Sequence, residues 1–155
     1  QPFDLRVILD ELVDFYHPQC EQAGVVLRLD APATEVPVQV DEGLLKQALL
    51  NLMINATQVM QHERGAAASG TSNDELILKI ESDDAMARIH VIDTGPGVPA
   101  DMREDIFHPY VSGRKGGTGL GLPTSRRIIE EHGGRLTVES QPGQGSDFII
   151  ALPVR

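Results

Sequence analysis

Four glycines fall within the seven residues GGTGLGL, Gly116 to Leu122, and the segment runs straight into PTSRRIIEEHGG, which reads as a helix. Gly117, Gly119 and Gly121 alternate, and a helix start offers unpaired N–H groups and partial positive charge, which together attract phosphate. The G-x-G-x-G order lacks the Gly-Lys-Ser/Thr of a Walker A loop, and no strand precedes it as in the dinucleotide fingerprint. Neither a P-loop enzyme nor a Rossmann domain is therefore supported. Arg114 and Lys115 lie just upstream, where cations could meet distal phosphates. Taken alone, the stretch could also be a flexible linker.

The surrounding pattern narrows the fold. Leu5, Ile8, Leu9, Leu12, Val13 and Phe15–Tyr16 recur at helical spacing, which predicts a helix from Phe3 to about Gln22, stopped by Gly24. VVLRLD (Val25 to Asp30) reads as a strand and VQV as a short extended piece. Asp41 reads as the N-cap of a second helix over about Glu42 to Gln61, with Leu45, Leu49, Leu52, Met53, Ala56 and Val59–Met60 as its apolar stripe. HERGAAASGTSND (His62 to Asp74) is predicted to be a mobile loop. ELILKIES and ARIHVID, split by the turn DDAM, give a hairpin signal. After Asp93 periodicity collapses for about two dozen residues, apart from one short helical turn near Asp101 to Phe107, and such a stretch inside a compact domain is usually functional or disordered. LGLPTSRRIIEEH is predicted as the third helix, with Gly133–Gly134 as its stop. RLTVES and SDFIIALPV follow as strands joined by QPGQG. Helices and hairpins without regular βαβ alternation predict an α+β, two-layer sandwich: a mixed sheet of about five strands covered on one face by three main helices.

Composition sets limits on partners. The 155 residues suit one domain with one core, and 41% are apolar with no Trp, so that core is built from Leu, Ile, Val and Ala. A formal charge of −10 argues against non-specific binding to nucleic acid or to an anionic membrane. It also means that a bound polyphosphate would need a cation beside it. Cys20 stands alone, which excludes an internal disulfide and favours a reducing, cytoplasmic setting. No apolar run approaches a membrane span and no signal peptide is visible. The chain starts without Met in mid-pattern, so a piece of a longer protein is expected, with any membrane anchor outside it.

Two further segments could carry chemistry. In NLMIN, Asn51 and Asn55 are four apart and share a helix face, mostly away from the apolar stripe. Asn is a mediocre helix former, and its amide oxygen is a hard neutral ligand suited to Mg²⁺. Two solvated surface amides would read the same way. In DTGPGVP, Asp93 closes an apolar strand, where a carboxylate is costly without a donor such as the exocyclic amine of adenine. Gly95 and Gly97 would let backbone approach a flat base. An Asp-capped turn at a strand end is the alternative.

Together, NLMINATQV, DTGPGVP, IFHPYVSGRKGGTGLGL and IIEEHGGRLTVESQPGQGSDFIIALP closely resemble the N box, first glycine box, F box, second glycine box and closing hairpin of sensor histidine kinases. The resemblance covers essentially the whole chain, residues 1–155. It points to a single catalytic ATP-binding domain with the Bergerat-type fold, in the GHKL superfamily shared with type II topoisomerases and heat-shock chaperones. NATQVM with GGTGLGLPTSRRI is similar to the nitrogen-regulation and oxygen-sensing branch. The resemblance implies that Asn55 holds Mg²⁺ and that Asn51 lies beside the phosphates or the metal. It implies that Asp93 binds the adenine amine and that Gly95 and Gly97 shape the adenine wall. Phe107 would anchor a lid spanning roughly His108 to Thr118. Gly117, Gly119 and Gly121 would cradle phosphates with Thr118 beside them, Leu120 and Leu122 would pack the helix down, and Arg114 or Lys115 would reach the γ-phosphate. The implied partners are a phosphoacceptor helical domain of the same full-length protein and a downstream response regulator.

Departures from the family pattern matter. Many members carry Lys or Arg shortly after the second Asn of the N box, where this chain has Thr57 and Gln58, so charge neutralisation is expected to fall to Mg²⁺ and the lid. The usual Pro-Phe after the F-box Phe is Pro109–Tyr110. In ATP-hydrolysing relatives a Glu four residues before the Mg-binding Asn activates water. Asn51 stands there and cannot act as a base, which favours a kinase over a GHKL-type ATPase. An anti-sigma-type serine kinase stays a related alternative. A non-catalytic interaction module with a decayed site is disfavoured, because the expected Asn, Asp and Gly positions are all present. His17, His62, His90, His108 and His132 show no metal-ligand spacing, and none lies in a segment like the family's phosphoacceptor motif. His132 is expected to complement the helix dipole as a cation, His90 to lie on the less buried face of its strand, and Glu130–Glu131 to form a solvated helix face.

Overall fold

The computed structural model describes residues 2–64, 74–108, 121–140 and 143–155. Its elements follow the order β1 (Phe3–Asp4), α1 (Leu5–Ala23), β2 (Val26–Asp30), β3 (Pro37–Val38), α2 (Glu42–Arg64), β4 (Glu75–Ser82), β5 (Met86–Asp93), α3 (Gly121–Glu131), β6 (Arg135–Ser140) and β7 (Ser146–Pro153). Two 3-10 turns, Ala100–Met102 and Asp105–Phe107, lie between β5 and α3. The main sheet has five strands in the order β2-β4-β5-β7-β6. β2 runs parallel to β4, and the remaining pairs are antiparallel. This is the predicted α+β sandwich with a mixed sheet and three main helices.

Alternation builds the core. In the register Leu78–Val91–Phe148–Val138 and its neighbour Ile80–Ile89–Ile150–Leu136, one face of four strands is apolar. It packs in a single cluster against Leu5, Ile8, Leu9 and Leu12 of α1, Leu45, Leu49, Leu52 and Met53 of α2, and Ile128 and Ile129 of α3. The next row on that face reads Leu76, Asp93, Ser146, Ser140. Here the buried face turns polar: Asp93 is 4% exposed, Ser146 7% and Ser140 8%. The opposite face carries His90 between two carboxylates, with Nδ1 2.8 Å from Asp147 and Nε2 2.7 Å from Glu81, in keeping with its expected placement on the less buried side.

Several boundaries differ from the sequence reading. Helix α1 starts at Leu5 rather than Phe3, because Asp4 caps it, accepting from the N–H groups of Arg6 (3.1 Å) and Val36 (3.0 Å). Phe3–Asp4 instead pairs with Pro37–Val38 as a two-stranded sheet, so the extended piece shares only Val38 with the predicted VQV and starts one residue earlier. Helix α2 is capped by Asp41, whose Oδ1 accepts the Leu44 N–H at 3.0 Å, and it continues to Arg64, past the Gln61 predicted as its end. The rest of the predicted mobile loop, up to residue 73, lies outside the described residues. His132 differs as well. Its Nε2 accepts the Asp41 N–H at 3.1 Å while its Nδ1 lies 2.7 Å from the Ile128 carbonyl. An acceptor nitrogen carries no proton, so the ring is a neutral link from α3 to the start of α2 and not a cation at a helix end. Glu130 and Glu131 are exposed, as expected.

Candidate functional site

Helix α2 lays Asn51, Asn55 and Val59 on one face at successive four-residue steps, a span of about 12 Å. Two separate segments meet this face at its two ends. At the Asn51 end, the Asn51 amide nitrogen lies 3.5 Å from the carbonyl oxygen of Gly121, the first residue of α3. One turn into α3, the buried Ser125 hydroxyl donates to the Ala48 carbonyl at 2.9 Å and fixes the helix against α2. At the Val59 end lies the loop after β5. A Cβ on Gly95 would meet Val59 Cγ1 at 3.3 Å, Met60 Cγ at 3.4 Å and the Asp93 carboxylate at 3.0 Å, so only a residue without a side chain fits comfortably. Asn55 lies midway and, like Asn51, is half-buried.

Asp93 closes β5 on the helix-covered side of the sheet. Its Oδ1 accepts the Gly95 N–H at 2.9 Å. Burial dominates its chemistry and pushes its pKa up to about 6, against the lowering effect of backbone hydrogen bonds from Gly95 and Ser146. Such a carboxylate is an acceptor held in an apolar wall, able to receive an N–H donor from a ligand. Gly97, at φ +83°, turns the chain in the left-handed region. Thr94 ties the loop to β4, its hydroxyl accepting the Glu75 N–H at 3.0 Å.

Phe107 is 5% exposed, edge-on to the Phe148 ring at 6.1 Å between centroids and under the Arg126 guanidinium at 4.9 Å. Arg126 also reaches Glu104 at 2.6 Å. The segment that leads towards residue 109 is therefore pinned to α3. Leu122 packs against the core cluster from the start of α3. The described candidates Asn51, Asn55, Asp93, Gly95 and Gly121 thus gather along α2, and Phe107 anchors the flank. Arg114, Lys115, Gly117, Thr118, Gly119 and Leu120 lie outside the described residues.

Some positioning groups were not singled out from the sequence. Ser125, Arg126, Arg103, Ser140 and Gly145 act across large sequence separations, and only Gly145, inside QPGQG, carried a local turn signal. Thr57, one of the two residues that depart from the N-box pattern, is turned away from the two amides. It is 4% exposed, lies 2.6 Å from the Tyr16 hydroxyl and faces α1, away from the Asn51–Asn55 face. A concavity of about 450 Å³ on the outer side of α1 and α2, bordered by Leu12, Phe15, Gly43 and Leu50, holds none of the predicted residues. Among the described residues, no helix is long and apolar enough to cross a membrane.

Comparison with known proteins shows the family and the fold. Residues 40–155 match the family described as histidine kinase-, DNA gyrase B- and HSP90-like ATPase. The chain is 36% identical over 135 residues to the sensory histidine kinase/phosphatase NtrB of Vibrio alginolyticus, covering 86% of this chain and 38% of that protein. It is 36% identical over 155 residues to the sensor histidine kinase ZraS of Escherichia coli K12, covering 99% of this chain and 31% of that protein. It thus spans about a third of the length of these relatives. Among solved structures, the catalytic domain of histidine kinase ThkA superposes with a TM-score of 0.83 at 27% identity, covering 99% of this chain and 96% of that one. Full-length ShkA in complex with AMPPNP also gives 0.83, at 29% identity, covering 99% of this chain and 31% of that one.

Proposed function

Because the chain belongs to the histidine kinase-, DNA gyrase B- and HSP90-like ATPase family, we propose that it binds ATP along the Asn51–Asn55 face of α2 and donates the γ-phosphate to a histidine on a separate helical domain. On this reading residues 1–155 are one catalytic domain of a two-component sensor kinase, the dimerisation and sensor parts lie elsewhere in the full-length protein, and a response regulator acts downstream. The observation that carries the reading is the buried Asp93 carboxylate, set at one end of the same helix face that holds the two amides. The ThkA relative was solved in complex with a response regulator protein, TrrA, which supports that class of partner.

The roles are those the family resemblance implies, and the chemistry of the residues suits them. Asp93 accepts the adenine amine, and Gly95 and Gly97 form the wall beside the base. The neutral, half-buried amide oxygens of Asn55 and Asn51 suit a hard cation, and in a chain of net charge −10 a triphosphate needs one. Asn55 is assigned to Mg²⁺, with Asn51 beside it. When bound, the ion neutralises phosphate charge. Gly121 opens α3, whose N-terminal end favours anions, and the family resemblance assigns Gly117, Gly119 and the adjoining Thr118 to the same phosphates and Leu120 to packing the helix down. Leu122 holds the helix down, and Arg114 or Lys115 serves the γ-phosphate. Transfer then depends on positioning and charge stabilisation: a histidine nitrogen attacks γ-phosphorus, the bond to the β–γ bridging oxygen breaks, and ADP leaves. Asn51 offers no base for water, which separates this reading from an ATPase.

Two measurements test it. Calorimetry should show the chain binding ATP with Mg²⁺ and Asn55→Ala losing the Mg-dependent part of that binding. Labelled ATP should leave no stoichiometric label on the isolated chain, since the acceptor histidine is assigned to another domain. Label at one per chain, or an unaffected Asn55→Ala, would count against the assignment.

A further inference from the structure

Ser140 closes β6 and lies in the polar row that includes Asp93 and Ser146. Its Oγ accepts the Val98 N–H at 2.6 Å and donates to the Gly145 carbonyl at 2.8 Å. An amide can only donate, so the hydroxyl lone pair is committed to Val98 and its proton to Gly145. The Ser140 carbonyl in turn accepts from the Arg103 guanidinium. Beside it the Gly143 N–H donates to the Pro96 carbonyl at 2.7 Å. These bonds join the segment that follows Asp93, residues 94–103, to the turn at 143–145. Gly145 is itself packed against the Asp93 and Thr94 backbone.

We propose that Ser140 is a positioning residue for the nucleotide site, its hydroxyl holding the Gly95–Val98 loop at the distance from Asp93 that the base requires. The proposal rests on the nucleotide-binding reading above. Ser140 need not touch the ligand. It preorganises the loop that does, in the way that a supporting hydrogen bond holds a binding group within a fraction of an ångström of its working place. No other described side chain bonds to the Val98 N–H, so removing the hydroxyl loosens the loop at Val98, with the Gly143–Pro96 and Gly95–Asp93 bonds still in place, and leaves Asn51, Asn55 and the start of α3 untouched.

The test is nucleotide calorimetry on the chain well below its unfolding transition, with Ser140→Ala and Ser140→Thr. Loss of one positioning hydrogen bond should raise the ATP Kd of Ser140→Ala about tenfold. The same factor is expected for ADP, because the effect lies at the base and not at the γ-phosphate, and the preference for ATP over GTP should narrow. Ser140→Thr keeps the hydroxyl and should restore wild-type affinity. If Ser140→Ala does not fold, Ser140→Cys, with similar volume and a poorer hydrogen-bonding group, is measured against the same expectations. A wild-type chain that binds ATP alongside a Ser140→Ala that melts lower but binds ATP and ADP unchanged overturns the proposal and leaves the nucleotide reading standing. A wild-type chain that binds no adenine nucleotide overturns both.

Discussion

Asp93 and Gly145 touch backbone to backbone: any side chain on Gly145 would overlap the Asp93 carbonyl oxygen, and the glycine holds φ at +88°. Gly143, two residues earlier in the same turn, also has a positive φ, +81°, but a Cβ there would meet nothing within 4 Å. The pair separates conformational strain from close approach. Gly143→Ala should cost about 1–2 kcal/mol, the left-handed penalty alone. Gly145→Ala adds a backbone collision and should cost more than about 3 kcal/mol. Urea unfolding of the two variants checks the order, and equal losses would mean that the contact with Asp93 is not held in solution.

The Asp93 carboxylate sets stability against function. Its pKa is raised to about 6 in the folded chain, against 3.8 as the ordinary value. The folded state therefore binds this proton more tightly than the unfolded state does, so ionisation destabilises the fold as pH rises from about 4 to 6. Above that window the cost is constant, about 3 kcal/mol as an upper estimate. Asp93→Asn keeps an oxygen for the Gly95 N–H without the charge. It should raise the unfolding free energy of the ligand-free chain at pH 7, give no gain at pH 4, and weaken ATP binding at pH 7. An Asn variant less stable than wild type at pH 7 would show that the carboxylate is better solvated than its 4% exposure implies.

The same proton should appear in binding. If the ionised form alone accepts the adenine amine, the ATP Kd should rise tenfold for each pH unit below about 6 and stay flat above it. Titrations between pH 5 and 8 in constant ionic strength read this directly. A flat profile through pH 6 would place the base elsewhere. In Asp93→Asn whatever binding is left should lose this slope.

Much of this architecture is legible in the sequence because its signals are local. The stripes of α1 and α2 and the alternation of β4, β5 and β7 announce their periods, and Asp93 stands out as a carboxylate ending an apolar strand. Asn51 and Asn55 stand out as a polar pair four apart on an apolar helix. What the sequence hides depends on partners far along the chain. Ser140 reads as the last residue of RLTVES until Val98, 42 residues away, is seen to donate to it. Nothing local marks Arg126 as the residue that reaches Glu104 and covers Phe107. His132 reads as a dipole partner until the Asp41 N–H claims its lone pair. Helix α1 starts two residues beyond the Phe3 that the periodicity predicts, because its cap, Asp4, is fixed as much by Val36 as by its own neighbours.

The N-box departure gives a last prediction, because position 57 cannot serve as the missing cation. Thr57 is two residues past Asn55, on the opposite side of α2. Its hydroxyl takes the Tyr16 hydroxyl at 2.6 Å and lies 3.0 Å from the Ile54 carbonyl, within the α1–α2 contact. Burial raises the Tyr16 pKa, which marks the same apolar surroundings. A Lys at this point would place an ammonium group in the core, so Thr57→Lys should cost about 3 kcal/mol or more. Gln58 is exposed, and Gln58→Lys should change stability by no more than about 0.5 kcal/mol. Thermal melts of the two variants decide the matter. A Thr57→Lys chain that melts with wild type and binds ATP more tightly would put position 57 on the nucleotide side of the helix. That result would reverse the assignment of the α2 faces on which Asn51 and Asn55 depend.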